Sequence, residues 1–289
     1  MAKAIQQIEK ELEALEEQVS AIAQNLEKLY QEYVEILGTT LQQQLIFSVY
    51  QICTHEYPQA FLELSLSQQQ AFQKKMRELG KEAQEHLKLG GEVLQSIAWE
   101  ESEEEENSDS EEETEETNFN PNSIKELLNN QPSEPEENSP ENVIAWLNLQ
   151  AEAITMILEN VSSNANEILR QAGILPQEFP KEMLDAAVRS EGAGSISNRA
   201  PGVLHLMLEL ERKNNSKKSD EDNEVIQLAI VRLRAAELEF SAPNLNRKRR
   251  EIRTLEQQLH QLDEQYQKLE QERAIAQAEL AWNSSWHQD

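Results

Sequence analysis

Apolar side chains recur at alternating spacings of three and four along the start of this chain: Ile5, Ile8, Leu12, Leu15, Val19, Ile22, Leu26, Leu29, Tyr33 and Ile36. The same spacing returns near its end at Ile252, Leu255, Leu259, Leu262, Tyr266 and Leu269, and Ala276 and Leu280 rejoin it after Arg273. A stripe with a mean period near 3.5 stays on one side of a helix only when that helix supercoils about a partner. Both segments are therefore predicted to be coiled coils, and their seam residues are candidate partner-binding positions.

The intervening pattern is helical as well. Gly38 is the expected stop or hinge of the first helix, and a more continuously apolar run from Thr40 to His55 follows, ended by Pro58. Ser65 or Ser67 is the expected N-cap of a helix carrying Phe72, Met76, Leu79, Ala83 and Leu87, weakened or bent at Gly90 and Gly91. Ser139 as cap and Pro140 at the first helical position open the second half. That helix ends near Gly173, and a short one follows around Met183 to Val188. EGAGSISNRAPG reads as a connection, Val203 to Leu210 as a further helical piece, and Val225 to Leu233 as the start of another that Pro243 ends. No two-residue alternation bounded by turns stands out, so the expected class is all-α.

Charge divides the chain. Residues 100 to 139 hold 16 acidic side chains and one lysine, which is -15 of the formal net charge of -28. Like charges at this density oppose compaction, so the segment reads as a disordered acidic linker between two helical halves. The expected organisation is an N-terminal coiled coil and helical region over 1–99, the linker over 100–139, a central helical region over 140–240 and a C-terminal coiled coil over 241–289. No apolar stretch approaches the roughly 20 residues of a membrane span. The first 30 residues lack a signal-peptide core, and the single cysteine, Cys53, fits a reducing compartment as a small buried hydrophobe. A cytoplasmic protein is expected.

Candidate chemistry is sparse. His55, His86, His205, His260 and His287 have no second ligand at metal-site spacing, and no phosphate-binding glycine loop or nucleophile elbow is present, so no catalytic residue, metal or cofactor is expected. The basic cluster Arg247, Lys248, Arg249, Arg250 and Arg253 is a candidate contact for nucleic-acid phosphate, for an acidic protein, or for the chain's own acidic linker. Four adjacent cations on a helix point in four directions, so only part of this charge faces any one ligand. Trp282 and Trp286, four apart on a continuing helix, would share a face and could anchor a partner or pack on the coiled coil.

Glu9, Glu11 and Glu16 flank the first seam, and Glu251, Glu256, Asp263, Glu270 and Glu272 the second, so flanking charges do not choose a partner. Tethering favours an antiparallel pairing of the first helix with the last inside one chain, and a parallel homodimer is the rival. The segments QICTHEYPQAFLELSLSQQQAFQKKMRELG and QERAIAQAELAWNSSW resemble a group of cyanobacterial coiled-coil proteins of unknown function. The resemblance implies a cytoplasmic bacterial protein and carries over no catalytic residues. The expected function is that of a non-enzymatic coiled-coil scaffold or adaptor binding protein partners. A nucleic-acid-associated factor using residues 247–253, with the acidic linker as competitor, is the alternative.

Overall fold

A computed structural model describes residues 5–99, 139–177, 179–190, 200–210 and 224–286. The acidic segment, apart from Ser139, lies outside them. The fold is mostly helical, with three helices longer than thirty residues besides the N-terminal one. In order they are α1 (Ile5–Gln51), a π-helical turn (Ile52–Glu56), α2 (Pro58–Glu63), α3 (Leu66–Trp99), α4 (Pro140–Gln171), α5 (Lys181–Arg189), β1 (Val203–Leu210), β2 (Glu224–Val231), α6 (Ala235–Ser241) and α7 (Pro243–Trp286). The described residues divide between two compact units, one lying within 1–33, 90–153 and 247–289, the other within 34–89 and 154–246. No described helix is long and apolar enough to cross a membrane.

In the first unit the start of α1 packs on α7. Ile8, Leu12 and Leu15 form one apolar cluster with Tyr266 and Ala276, edged by Ile5, Leu262 and Leu269. Tyr266 donates its hydroxyl hydrogen bond to Glu16 at 3.3 Å. Further along α1, Glu32 meets Lys248 at 2.6 Å and Tyr30 Oη accepts from Arg249 at 3.4 Å. Residue numbers rise on one helix as they fall on the other, so α1 and α7 run in opposite directions. Trp146 of α4 stands edge-on to Tyr30, with ring centroids 5.3 Å apart.

Burial on α1 departs from the seven-residue register after Val19. Ala23, Leu26, Tyr30, Tyr33 and Leu37 are buried, while Ile22, Leu29 and Ile36 are only half-buried. Two successive steps of four, Leu15 to Val19 to Ala23, shift the register by one residue, in the sense of the drift of a straight helix with 3.6 residues per turn, and the alternation of three and four then resumes. A second neighbour accounts for it in this unit: Trp146 meets Tyr30, so the buried face widens beyond one seam. On α7 the register holds, with Leu245, Ile252, Leu259 and Tyr266 buried at intervals of seven and Leu255, Leu262 and Leu269 half-buried.

In the second unit Gly38 does not end α1, contrary to the sequence expectation. Its role is close approach: a Cβ there would lie 2.8 Å from Gln84 Cγ of α3, and one on Gly80 would lie 3.1 Å from Gln42 Cγ of α1. Each helix thus sets a glycine opposite a glutamine of the other. α3 starts on a capping box, in which Ser65 N–H donates to Gln68 Oε1 at 2.9 Å and Gln68 N–H to Ser65 Oγ at 3.4 Å. The expected Ser139 cap is present too, accepting from Asn142 N–H at 3.4 Å.

The two segments expected to be helical at 203–210 and 225–233 are corrected to an antiparallel hairpin, Val203 opposite Val231 through Leu210 opposite Glu224. Alternation was present in β1, where Leu204, Leu206, Leu208 and Leu210 are separated by His205, Met207 and Glu209, and the sequence reading missed it; in β2 the continuous run Leu228, Ala229, Ile230 and Val231 concealed it. The reason is burial on both faces near the base of the hairpin, where Leu204, His205, Leu206, Leu228, Ala229, Ile230 and Val231 are all buried. β-branched Val225, Ile226, Ile230 and Val231 add to the strand preference of β2.

A two-stranded sheet leaves an outer row of backbone groups that need partners. Side chains meet that row at the base of β2 and just beyond it. Asn166 of α4 donates to Val231 C=O at 2.9 Å and accepts from Val231 N–H at 2.8 Å. Tyr57 Oη accepts from Ala229 N–H at 2.9 Å, and Ser162 Oγ accepts from Leu233 N–H at 2.9 Å while donating to Leu158 C=O. At the base, Gly202 adopts φ 77° and accepts from Arg232 N–H at 2.9 Å.

Candidate interaction surface

The residues predicted to hold a partner are mostly used inside the chain. Ile8, Leu12, Leu15, Val19 and Leu26 on α1 and Ile252 and Leu259 on α7 are buried. Ile5, Ile22, Leu29, Leu255, Leu262 and Leu269 are half-buried. In the first unit these positions face neighbouring helices of the same molecule. Trp282 is 66% exposed on α7. The side chain of Trp286 lies outside the described residues.

The basic cluster separates into two groups. Lys248 is 15% exposed between Glu32 at 2.6 Å and Glu251 at 3.0 Å, and Arg249 binds Glu256 at 3.0 Å. These two cations brace the first unit, because α7 meets α1 across them. Arg247, Arg250 and Arg253 point outward and are exposed, with Glu251 3.9 Å from Arg247. Their spacing of three places them along one side of α7 over two turns.

The Glu32–Lys248 bridge carries a pH dependence. The Lys248 hydrogen bond and charge hold the Glu32 carboxyl below its ordinary 4.5. Glu32, followed by Glu251, holds the Lys248 ammonium above its ordinary 10.5. A depressed carboxyl contributes stability above its unfolded value and loses it as pH falls through the folded one. A raised amine contributes below its unfolded value and loses that as pH rises through the folded one. Substituting Lys248→Met is therefore expected to lower stability modestly at pH 7 and to flatten the acid side of the stability profile below about pH 4.5. Urea midpoints across pH check this, and superimposable acid limbs for the two proteins would contradict it.

The second unit contains titratable groups that the sequence did not bring together. His205 of β1 is 5% exposed, and its Nε2 lies 3.1 Å from Glu56 Oε1 at the end of the π-helical turn. The two atoms are close, but no hydrogen bond of acceptable geometry joins them. Burial pushes the neighbouring Tyr57 phenol up, partly offset by the hydrogen bond from Ala229 N–H. Nothing in the sequence marked these residues as neighbours, since Glu56 and His205 lie far apart in the chain. The His205–Glu56 contact and the Ala229–Tyr57 hydrogen bond both lie between the hairpin and the end of the π-helical turn. A grouping of three or more metal-ligating side chains does not occur among the described residues.

Cys53, on the same turn, is buried, and burial pushes its thiol up to about 12. The thiolate is the reactive species, so little of it exists at ordinary pH. In the folded protein at pH 8, Cys53 is expected to resist a disulfide-exchange reagent and to react at least tenfold faster in urea. Equal rates in the two conditions would contradict the buried placement.

Comparison of the chain with protein-family models, with curated proteins and with solved structures finds no match.

Proposed function

We propose that this chain is a non-enzymatic helical scaffold or adaptor of the cytoplasm that works through protein–protein contact. The observation that carries the reading is the use of the terminal seams within the chain: Ile8, Leu12 and Leu15 are covered by Tyr266 and Ala276. Terminal helices joined in this way, as a coiled-coil stem, give a stiff support whose outward faces remain for partners. Exposed apolar side chains include Trp282 of α7 in the first unit and, separately, Phe47 and Tyr50 of α1 in the second. Affinity retrieval from the native cell with the full chain tests the reading. One defined protein should co-purify in stoichiometric amount and be lost when an outward face is charge-reversed. Recovery of the chain with no stoichiometric protein other than itself would end it.

A second reading rests on a separate observation, the three outward arginines Arg247, Arg250 and Arg253 on α7. Phosphate contacts by three cations give a plot of log affinity against log salt with a slope of roughly -2 to -3. Fluorescence anisotropy with short RNA and DNA duplexes is expected to show that slope if the chain is a nucleic-acid factor. Deleting residues 100–120 should then strengthen binding by removing an acidic competitor. A flat titration at low salt would exclude this reading.

A further inference from the structure

We propose that the outward face of the last part of α1, from Ile36 to Tyr50, is a helix-pairing surface that binds the same face of a second copy of this chain. The inference goes beyond the adaptor reading and does not depend on it. The inward face of this part of α1 is filled by Leu37, Leu41, Leu45, Ser48 and Val49, all buried. On the opposite side stand Ile36, Thr40, Gln43, Phe47 and Tyr50, at successive spacings of four, three, four and three. That is the spacing of a two-helix seam, here on the solvent side of a helix whose other side is already packed. From Ile36 to Tyr50 it extends for about 21 Å at 1.5 Å per residue.

The side chains on this face suit another helix. Phe47 is 44% exposed, Tyr50 55%, and the adjoining Ile46 38%. Thr40 turns its hydroxyl back onto the Ile36 carbonyl at 2.8 Å, and Thr54, in the π-helical turn just beyond α1, onto the Tyr50 carbonyl at 2.7 Å. Their hydroxyls are thereby satisfied without a partner, and their methyl groups remain for packing. Gln43 adds an exposed amide that can bond to a copy of itself.

Charge selects the second copy as the occupant. Between Glu35 and Glu56 there is no Asp, Glu, Lys or Arg, in a chain that is otherwise 28% charged with a net charge of -28. Two copies of so acidic a molecule repel when their charged faces meet, but this stretch of α1 brings no like charges together. The N-terminal seam fails the same test. It is flanked by Glu9, Glu11 and Glu16, and its apolar side chains already face α7. A two-fold arrangement of α1 against α1 is self-complementary, as a closed dimer requires.

Light scattering on the full chain over a concentration series tests the proposal. The expected result is a rise from the 33.2 kDa chain mass to twice that value. Raising salt should favour the dimer by screening the net charge. Phe47→Glu combined with Tyr50→Glu should return the monomer mass with unchanged helical circular dichroism. If that variant loses helicity, Gln43→Glu, at an exposed polar position, tests the same face and is expected to weaken dimerisation at least tenfold. A monomer at every concentration would overturn the proposal, as would a dimer indifferent to whichever of these variants stays folded.

Discussion

Replacing Asn166 with alanine is expected to lower the unfolding free energy by about 2–5 kcal/mol, because it strands two buried backbone groups at once. Asn166 is 1% exposed and Val231 wholly buried, so water cannot take over either bond. The amide both donates to and accepts from the same residue, at 2.9 and 2.8 Å. Asn166→Asp should also be destabilising, since a carboxylate can accept from Val231 N–H but cannot donate to Val231 C=O. Asn166→Leu would restore volume and neither bond, and should resemble alanine. Urea unfolding gives the free energies, and amide exchange locates the damage: protection at Val231 should fall first. An unchanged midpoint for Asn166→Ala would mean that β2 does not depend on this clamp.

The second large effect is expected at Gly202, where two costs coincide. Its φ of 77° is costly for a residue with a Cβ, by about 1–2 kcal/mol. A Cβ there would also run into Ser48 Oγ and come within 3.2 Å of Gln44 Nε2 and Leu233 Cδ2. Ser48 cannot move aside cheaply, because it is fully buried. Gly173 is the control, since its φ is 75° but nothing lies within 4 Å of an added Cβ. Gly202→Ala should therefore cost about 1–3 kcal/mol more than Gly173→Ala, the difference measuring the collision. Pairing Gly202→Ala with Ser48→Gly should recover part of that difference. Equal melting points for the two single alanine variants would contradict the crowded setting.

The helices were legible in the sequence because their signals are local. Pro140 with Ser139, the Ser65–Gln68 box and the sevenfold spacing on α7 each lie within a few residues. Gly38 misled because a glycine that allows two helices to approach looks, in one dimension, like a glycine that ends one. In the hairpin, β2 was hidden because both its faces are covered near the base, which blurs the two-residue alternation, whereas the alternation in β1 was present and missed. The clamp on β2 was out of reach altogether: Asn166 and Val231 are separated by 65 positions, and a lone asparagine in a helix carries no sign of its partner. Tethering made an antiparallel pairing of the first helix with the last the favoured reading of the sequence, with a parallel homodimer as its rival. The flanking glutamates offered no charge code for the pairing. The structure supplies that link through Tyr266 with Glu16 and Lys248 with Glu32.

If the outward face of α1 pairs copies, the two kinds of helical seam have divided tasks. Acid-flanked seams close within the chain, where tethering overcomes repulsion, and the uncharged seam works between chains. Arg247, Arg250 and Arg253 would then be left for a different ligand, on a face that neither seam uses.

The account rests on α1 and α7 lying side by side, in opposite directions, within a single molecule. Spin labels at the exposed positions Gln18 and Lys268, near the Glu16–Tyr266 contact, measure this most directly, with Cys53 too buried to take a label. Helices packed at about 8–10 Å predict a label separation below about 25 Å. That separation should persist when labelled chain is diluted into an excess of unlabelled chain. A separation well beyond that range, or a short one that vanishes on dilution, would contradict the intramolecular pairing.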